Sequence, residues 1–227
     1  MPKPIFSKII NMVLITLCSA ALLSAGFWVN GFLERERVLR QVIERLSADS
    51  LAAEVLVTKS EYDEATKKVL TTIKFLEYSP DGVALEPRYF TFNGNLIQFQ
   101  ALVVRFQDAL VKSGNRLKGK SAFIFLKAFV LDGKEAQVFE ITKHDEIPRG
   151  YKIPGAVSSF EHELWKDFWD YALDSDKRVK SGVKNAQIEA PGSLFLPGSI
   201  YTLRIEHDGG LRIDARAVPE ILKGEKL

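Results

Sequence analysis

Residues Ser121 to Leu131 read SAFIFLKAFVL and form the most apolar strand-like stretch of the chain. Successive side chains of a strand point to opposite faces, and both faces are apolar here. Phe123, Phe125, Phe129 and Leu131 fall on one face, and Ala122, Ile124, Leu126, Ala128 and Val130 fall on the other. Only Lys127 interrupts the pattern. Because a strand that is apolar on both faces is buried on both, the stretch predicts a central strand with a layer of structure on either side.

Strand signals lie on both sides of this stretch. Residues 54–59 and 68–78 are rich in β-branched and aromatic side chains, as strands are, and the polar residues 60–66 between them are expected to form a loop. Further strands are expected at residues 88–92, 96–106 and 135–142. Residues 96–106 are also apolar on both faces, so they are expected to lie beside the central strand.

Turn signals separate these strands. They are Ser79-Pro80-Asp81-Gly82, Asn93-Gly94, Asp132-Gly133 and Asp208-Gly209-Gly210. Asn93-Gly94 predicts a two-residue hairpin, because both residues tolerate the positive φ of a type I′ turn. Strands joined by tight hairpins are antiparallel. The predicted fold is therefore mainly β, an antiparallel sandwich or a partly open barrel.

One amphipathic helix is expected over residues 159–175, which makes the fold α+β. Ser158 and Glu161 have the spacing of a capping box. An apolar stripe follows at helical spacing, formed by Phe160, Leu164, Phe168, Tyr171 and Ala172. Trp165 and Trp169 lie beside this stripe and have two interpretations. They pack over the second face of the sheet, or they stay partly exposed and bind a partner protein.

The last hairpin is predicted to the residue. A three-residue loop over residues 208–210 would set Ile205 opposite Ile213, and it would also set Glu206 opposite Arg212. Opposite charges in directly opposed positions stabilise a sheet. A two-residue loop would instead set Ile205 opposite Arg212, which mixes apolar and charged side chains on one face. The three-residue loop is therefore predicted.

The chain begins with a long apolar segment, Ile9 to Leu33, which contains no charged residue. A helix crosses the hydrocarbon core of a membrane with about 20 apolar residues, so residues 9–33 are predicted to be a transmembrane anchor. Two alternatives stay open. One is a signal peptide cleaved near Ser19-Ala20-Ala21, and the other is a buried helix, which the apolar residues all round the segment disfavour.

The anchor divides the chain into four regions. Residues 1–8 are a basic tail, residues 34–52 are a helical stalk that packs on its own domain or pairs with another helix, and residues 53–227 are the β-rich domain. The positive-inside rule conflicts with the expected topology, because the four arginines after the anchor outnumber Lys3 and Lys8 before it. A short basic tail before a first apolar segment nevertheless indicates export of the domain that comes after the segment. We therefore expect a single-pass protein of the bacterial inner membrane with a periplasmic domain.

Composition limits the possible functions. The net charge of the 227 residues is +2, which gives no reason to expect nucleic acid as a partner. Cys18, inside the predicted anchor, is the only cysteine, so the domain has neither disulfides nor a thiolate metal site. No nucleophile elbow, phosphate loop or zinc-protease motif occurs. No catalytic residue, metal or cofactor is therefore predicted.

Two groups of basic residues are candidates for anion binding. Arg116, Lys118 and Lys120 lie in a glycine-punctuated segment before the central strand, and Lys177, Arg178, Lys180 and Lys184 follow the helix. Either group suits a phosphate or an anionic headgroup. The alternative is an ordinary solvated surface, and for the second group it is charge complementarity with the C-terminal end of the helix.

Three functional hypotheses remain. The first is a non-catalytic assembly subunit that binds another envelope protein through an exposed sheet edge or through Trp165 and Trp169. The second is binding of a lipid or amphiphile in a groove between the two-faced strands. The third is an enzyme whose site is assembled from residues such as His144, Asp145 and Glu146. Oligomeric state does not follow from the sequence.

Overall fold

The computed structural model describes residues 12, 14, 16–20, 24–26, 29–30 and 33, and then residues 50–65, 67–106, 121–132, 135–152, 159–174, 176, 183–206 and 210–220. The chain divides into two compact units, Met1–Gln41 and Val42–Leu227. The described residues of the first unit are helical and exposed. Within the described part of the chain, no helix is both long enough and apolar enough to cross a membrane. The predicted tail, about half of the predicted anchor and residues 34–49 of the predicted stalk lie outside the described residues, so the anchor and the stalk stay predictions.

The described residues of the second unit form ten strands in two antiparallel sheets, which confirms the mainly β class. The strands are β1 (Ser50–Asp63), β2 (Lys68–Glu77), β3 (Arg88–Asn93), β4 (Leu96–Phe106), β5 (Ser121–Asp132), β6 (Glu135–Glu140), β7 (Val183–Glu189), β8 (Gly192–Leu194), β9 (Ser199–Ile205) and β10 (Leu211–Ala217). Sheet 1 has the order β10-β9-β1-β2-β3. Sheet 2 has the order β6-β5-β4-β7, and the short β8 also pairs with β4. One α-helix, α1 (Ser159–Leu173), begins where the sequence predicts it.

The main core lies between the two sheets and is built from aromatic rings. Phe75 of sheet 1 stacks on Phe99 of sheet 2, with ring centroids 5.4 Å apart, and Phe125 meets Phe75 edge-on at 5.3 Å. On the β3 side, Phe139 contacts Phe90 and Phe92 at 5.3 and 5.0 Å. Such tilted and edge-on contacts are the preferred arrangements of aromatic pairs. The strands therefore line a packed core, not a groove between the sheets.

A second core lies on the outer face of sheet 2, under α1. It contains Leu102 and Val104 of β4, Ala122 and Ile124 of β5, and Trp165, Trp169 and Ala172 of α1. Trp165 and Trp169 are only 1% and 2% exposed. The interpretation that Trp165 and Trp169 stay partly exposed as a partner-binding surface is therefore wrong, because both indoles face the sheet and the helix covers them. The alternative, a helix packed over the two-faced strands, is confirmed.

The central strand differs from its prediction in its second half. Gln100 of β4 lies opposite Lys127, but the next residue, Ala101, lies opposite Phe125, so Leu126 is an extra residue on β5. A β-bulge of this kind shifts every later side chain to the other face. As a result Ala128 and Val130 join Phe123 and Phe125 in the core between the sheets. Leu131, predicted to lie with them, points outward and is 64% exposed.

Two local predictions near the ends of strands are also wrong. β1 begins at Ser50 and ends at Asp63, so residues 50–52 of the predicted stalk and residues 60–63 of the predicted loop belong to the sheet. Asn93-Gly94 makes a turn but not a hairpin, because β3 pairs with β2 in sheet 1 whereas β4 lies in sheet 2. The turn at Ser79 to Gly82 is confirmed, with Gly82 N–H donating to the carbonyl of Ser79 at 2.8 Å. The β5–β6 hairpin is confirmed as well, with Asp132 opposite Glu135.

The last hairpin is shifted by two residues from its predicted register. Ile205 lies opposite Leu211 instead of Ile213, so residues 206–210 connect the strands. A shift of two keeps each side chain on its predicted face, because the side-chain period of a strand is two. The expected attraction between Glu206 and Arg212 still forms, at 2.6 Å, from the loop to the strand.

Candidate functional site

The predicted anion-binding residues Arg116, Lys118 and Lys120 lie outside the described residues, as do Lys177, Arg178 and Lys180 and the side chain of Lys184. Of the residues in the enzyme hypothesis, His144, Asp145 and Glu146 are all exposed. His144 Nδ1 lies 3.0 Å from Asp145 Oδ2. The ring of His144 lies 5.3 Å from the ring of Trp169, so the segment is held against the end of α1 that carries this tryptophan.

An open cleft of about 420 Å³ lies between this segment and α1. Its lining contains two apolar residues and groups of both charges: Ile141, Thr142, Asp145, Glu146, Ile147, Arg149, Lys152 and His162. Two backbone features fix its shape. Trp169 Nε1 donates to the carbonyl of Glu146 at 3.0 Å, and Asp145 has a φ of 65°, a conformation that aspartate tolerates better than most residues.

The cleft does not assemble a catalytic constellation from the described residues. His162 has no hydrogen-bond partner among them, and a nucleophile needs a base within hydrogen-bond reach. Within the same part of the chain, no group of three or more histidine, cysteine or acidic side chains is placed to hold a metal ion. The cleft therefore supports at most a weak site for a small polar ligand.

Glu77 is a buried carboxylate, and it forms an ion pair with Arg88. Arg88 donates to Glu77 Oε2 at 3.0 Å through Nη2 and to the carbonyl of Ile141 at 2.7 Å through Nη1. Burial raises the pKa of Glu77 more than the nearby Arg88 lowers it, and burial likewise lowers the pKa of Arg88. Arg88 lies in sheet 1 and Ile141 follows β6 of sheet 2, so this buried pair links the two sheets instead of facing a substrate.

Tyr151 is a second buried titratable group, and it also has a structural role. Its hydroxyl accepts a hydrogen bond from the backbone N–H of Phe123 at 3.2 Å. Burial strongly raises the pKa of Tyr151. The phenol therefore stays protonated and serves to join the segment before α1 to β5.

The most unusual surface is an uncovered apolar area on the outer face of sheet 2. We call it the bare face and define it by five side chains from four adjacent strands: Leu96 of β4, Phe129 and Leu131 of β5, Val138 of β6 and Leu194 of β8. Leu96 lies directly opposite Leu194, and Phe129 lies opposite Val138. The exposed fractions are 56% for Leu96, 64% for Leu131, 50% for Leu194 and 42% for Val138, and Phe129 is half-buried.

The bare face exists because α1 is too short to cover sheet 2. A helix of 15 residues is about 22 Å long, whereas β5, with its 12 residues, is about 40 Å long. The helix covers the half of the sheet that contains Leu102 and Ile124 and leaves the other half open. The sequence carries a signal for this, because Leu96 and Leu131 extend the two-faced pattern of their strands beyond the reach of one helix. Sequence reasoning missed it by assigning α1 to the whole face.

The outer face of sheet 1 has a mixed character. Its positions alternate with the core and carry polar side chains, among them Glu54, Lys74, Arg204, Arg212 and Arg216, beside the half-buried Leu56, Leu76 and Ile200 and the exposed Tyr89. Several of the polar residues make surface ion pairs, such as Arg216 with Glu54 at 2.9 Å. The aliphatic side chains of this face are half-buried, whereas Leu96, Leu131, Leu194 and Val138 of the bare face are exposed. The bare face is therefore the better candidate for a binding surface.

The edge between β3 and β6, the other expected binding surface, is partly occupied. The side-chain amide of Gln137 in β6 accepts a hydrogen bond from the backbone N–H of Asn93 at 2.7 Å and donates one to the carbonyl of Thr91 at 3.0 Å. These backbone groups belong to the outer edge of β3. A partner strand pairing there would have to displace them, so the face is better suited to binding than this edge.

The bare face lies at the end of the sandwich opposite the start of β1. Ser50 pairs with Ile205 at one end, whereas Gly94, two residues before Leu96, donates its N–H to the carbonyl of Val69 near the far end of β1. The two ends are separated by about 12 residues of β1, or about 40 Å.

Comparison of the chain with protein-family models, with curated proteins and with solved structures finds no match in any of the three. The function is therefore argued from the geometry alone.

Proposed function

We propose that the protein is a membrane-anchored, non-catalytic assembly subunit whose domain binds another protein of the cell envelope through the bare face. The observation that carries the proposal is the group of exposed apolar side chains on four adjacent strands, in a domain whose other sheet has half-buried aliphatic side chains among charged ones on its outer face. Contiguous apolar area of this kind is typical of protein-binding surfaces. The cleft beside α1 lacks a paired nucleophile and base among the described residues, which favours binding over catalysis.

The packing between the sheets supports a protein partner rather than a lipid ligand. A lipid ligand between the sheets is disfavoured by the aromatic core, in which Phe75, Phe99 and Phe125 already contact one another.

The binding proposal is tested with matched variants of the full chain. Leu131→Lys places a charge in the centre of the bare face, and Tyr89→Lys makes the same change at a 58% exposed strand position of sheet 1. Proteins crosslinked in native membranes and purified with each variant are identified by mass spectrometry. We expect an envelope protein that is retained by the wild type and by Tyr89→Lys and lost with Leu131→Lys. Equal recovery with both variants would contradict a role for the bare face.

The anchor and the compartment are tested separately. A reporter that is active only outside the cytoplasm is fused to the C-terminus, and the mature N-terminus is sized by immunoblot. The proposal of an inner-membrane anchor with a periplasmic domain expects reporter activity together with the full-length chain. Activity with a shortened chain would indicate a cleaved signal peptide instead. An inactive reporter would place the domain in the cytoplasm, as the arginines after the anchor suggest.

A further inference from the structure

β10 forms one edge of sheet 1, and its pairing with β9 determines which of its backbone groups face outward. Glu206 N–H donates to the carbonyl of Gly210 at 2.8 Å, and Val218 N–H donates to that of Gly198 at 2.9 Å. The register between these two points is continuous, and residues of an antiparallel pair alternate between bonded and non-bonded positions. The backbone groups that point away from the sheet are therefore those of Leu211, Ile213, Ala215 and Ala217.

This edge lacks most of the features that keep an edge strand from pairing. Among the residues that the structure describes, no hydrogen bond uses the four outward N–H groups or their carbonyls. β10 contains no proline and no bulge, both of which commonly protect an edge. The other edge of the sheet is protected, because Gln137 occupies backbone groups of β3. An extended chain is the occupant that offers donors and acceptors at the spacing of the β10 edge.

We infer that this occupant is β10 of a second copy, paired antiparallel about a twofold axis at Ile213. β10 reads LRIDARA, with Arg212, Asp214 and Arg216 on the outer face of the sheet. In a twofold contact each residue meets the surface of which it is itself a part. With Ile213 opposite its own copy, Arg212 of each chain lies opposite Asp214 of the other. The alternation of charge along the strand is thus complementary to itself, and opposite charges in directly opposed positions stabilise a sheet.

The neighbouring registers are poorer, so the match is specific. An axis at Asp214 would set this carboxylate against itself and Arg212 against Arg216, and directly opposed like charges destabilise a sheet. An axis at Ala215 would set Leu211 opposite Pro219, which has no N–H to donate. The axis at Ile213 sets Leu211 opposite Ala215, so outward backbone groups meet outward backbone groups along the strand. The edge therefore fits its own sequence in one register.

The pairing also extends the core and limits the assembly to two copies. Ile213 packs against the main core but is half-buried, and Ala215 is exposed although its cross-strand neighbour Tyr201 is buried. β10 of the second copy would lie beside both. The product is a continuous sheet of ten strands, five from each copy, whose outer edges are the protected β3 strands. The inference goes beyond the proposed function, because the bare face belongs to sheet 2 and stays available for the envelope partner.

The test is the mass of the full chain in a neutral detergent, measured by light scattering and sedimentation over a range of concentrations. We expect a dimer that dissociates on dilution. Asp214→Arg sets arginines against each other at both contacts, so the dissociation constant should rise about 10-fold or more. Adding Arg212→Asp exchanges the two charges and should restore the wild-type dissociation constant, because each opposed pair is again of opposite sign.

Two controls separate this contact from other surfaces. Glu61→Arg makes the same change of charge at an exposed position of β1, where it also removes an ion pair, with Lys59 at 2.8 Å, and it should leave the dimer unchanged. Leu131→Lys in the bare face should leave it unchanged as well. A monomeric wild type, a dimer that persists with Asp214→Arg, or a double variant that does not recover would overturn the inference. Loss of the dimer with Leu131→Lys would do the same, since the contact would then involve the bare face.

Oxidation of single cysteines measures the register directly. In a Cys18→Ser background, which removes the only native cysteine, Ile213→Cys brings two thiols together across the axis. The Cα atoms of a hydrogen-bonded antiparallel pair are about 5.5 Å apart, a separation that suits a disulfide. Ala217→Cys is the control, because this position is more exposed but lies further along β10 from the axis. We expect an intermolecular disulfide from Ile213→Cys alone, and equal or faster crosslinking of Ala217→Cys would contradict the inferred register.

Discussion

The two buried tryptophans of α1 allow a prediction with an internal control. Trp165 and Trp169 lie on the same helix, one turn apart, and are almost equally buried. They differ in their ring neighbours, Tyr151 and Phe168 for Trp165 and His144 for Trp169, and in their hydrogen bonding. The indole N–H of Trp169 donates to the carbonyl of Glu146 at 3.0 Å, whereas that of Trp165 finds no acceptor among the residues that the structure describes. Trp169→Phe and Trp165→Phe therefore remove the same atoms from two different hydrogen-bonding situations.

The difference between the two variants follows from the hydrogen bond. The loss of buried apolar area is common to both substitutions and cancels in the comparison. Trp169→Phe also loses a hydrogen bond with a net value of about 0.5–1.5 kcal/mol, whereas Trp165→Phe removes a buried unsatisfied donor that costs about 1–3 kcal/mol. Trp169→Phe should therefore be the more destabilising change, by about 3 kcal/mol. In a unit of this size that corresponds to a difference in Tm of about 6–12 °C.

The assay is unfolding of the full chain by urea and by heat, followed by far-UV circular dichroism. Fluorescence is unsuitable because each variant removes one of the three tryptophans. Both variants should keep the wild-type dependence on urea, so that the midpoints compare free energies of unfolding. Equal destabilisation, or a larger loss with Trp165→Phe, would refute the assignment of the hydrogen bond to Trp169.

Two further predictions concern Glu77 and Gly94. Because the pKa of Glu77 is raised, the folded state binds more protons than the unfolded state. The free energy of unfolding should therefore fall as pH rises above the ordinary glutamate pKa of 4.5. Urea unfolding of Glu77→Gln across this pH range should lack that decline, and an unchanged slope would disprove the assignment. Gly94 has a φ of 133°, and an added Cβ would lie 3.3 Å from Val130 Cγ1, so Gly94→Ala should cost about 1–3 kcal/mol. Gly82→Ala is the control, since Gly82 also has a positive φ, 80°, but an added Cβ would have no atom within 4 Å. A loss of stability as large as that of Gly94→Ala would show that the contact with Val130 has no effect.

The class of the fold could be predicted because it depends on patterns that are local in sequence. Alternation in β4 assigned Ile97 and Phe99 to one face and Leu102 and Val104 to the other, and the structure places them in the two separate cores. A strand with two apolar faces needs two covering layers, and α1 supplies one of them. These conclusions need only the period of the side chains and the length of the segments.

The errors concern choices that the local pattern does not determine. Asn93-Gly94 favours a turn, but a turn signal does not tell whether the next strand pairs with the previous one or crosses to the other sheet. In SAFIFLKAFVL only Lys127 indicates the bulge at Leu126, because without the bulge it would share the core face of Phe123 and Phe125. It does not tell which residue is the extra one. In the last hairpin, Arg212 reaches Glu206 from the observed register as well as from the predicted one, so the charge pair could not distinguish them.

The candidate site was missed for a related reason. Leu96 and Leu131 look like core residues in the sequence, because apolar residues in a two-faced strand are normally buried. Their exposure depends on the length of α1 relative to the strands and on the bulge that turns Leu131 outward. Both are properties of the assembled sheet. Conversely, the sequence left Trp165 and Trp169 with two interpretations, packing over the sheet or a partner surface, and they are core residues because the helix is oriented with its indoles towards the sheet.

The arrangement of the bare face also limits how far association can proceed. Pairing between sheet edges can continue from one molecule to the next, because each added strand exposes a new edge. At the β3–β6 side of this domain, the amide of Gln137 occupies backbone groups of the β3 edge, which opposes such growth. Binding through the bare face has the opposite property, since it adds no strand to either sheet and exposes no new edge. One partner on the bare face would therefore cover an apolar area that otherwise favours aggregation.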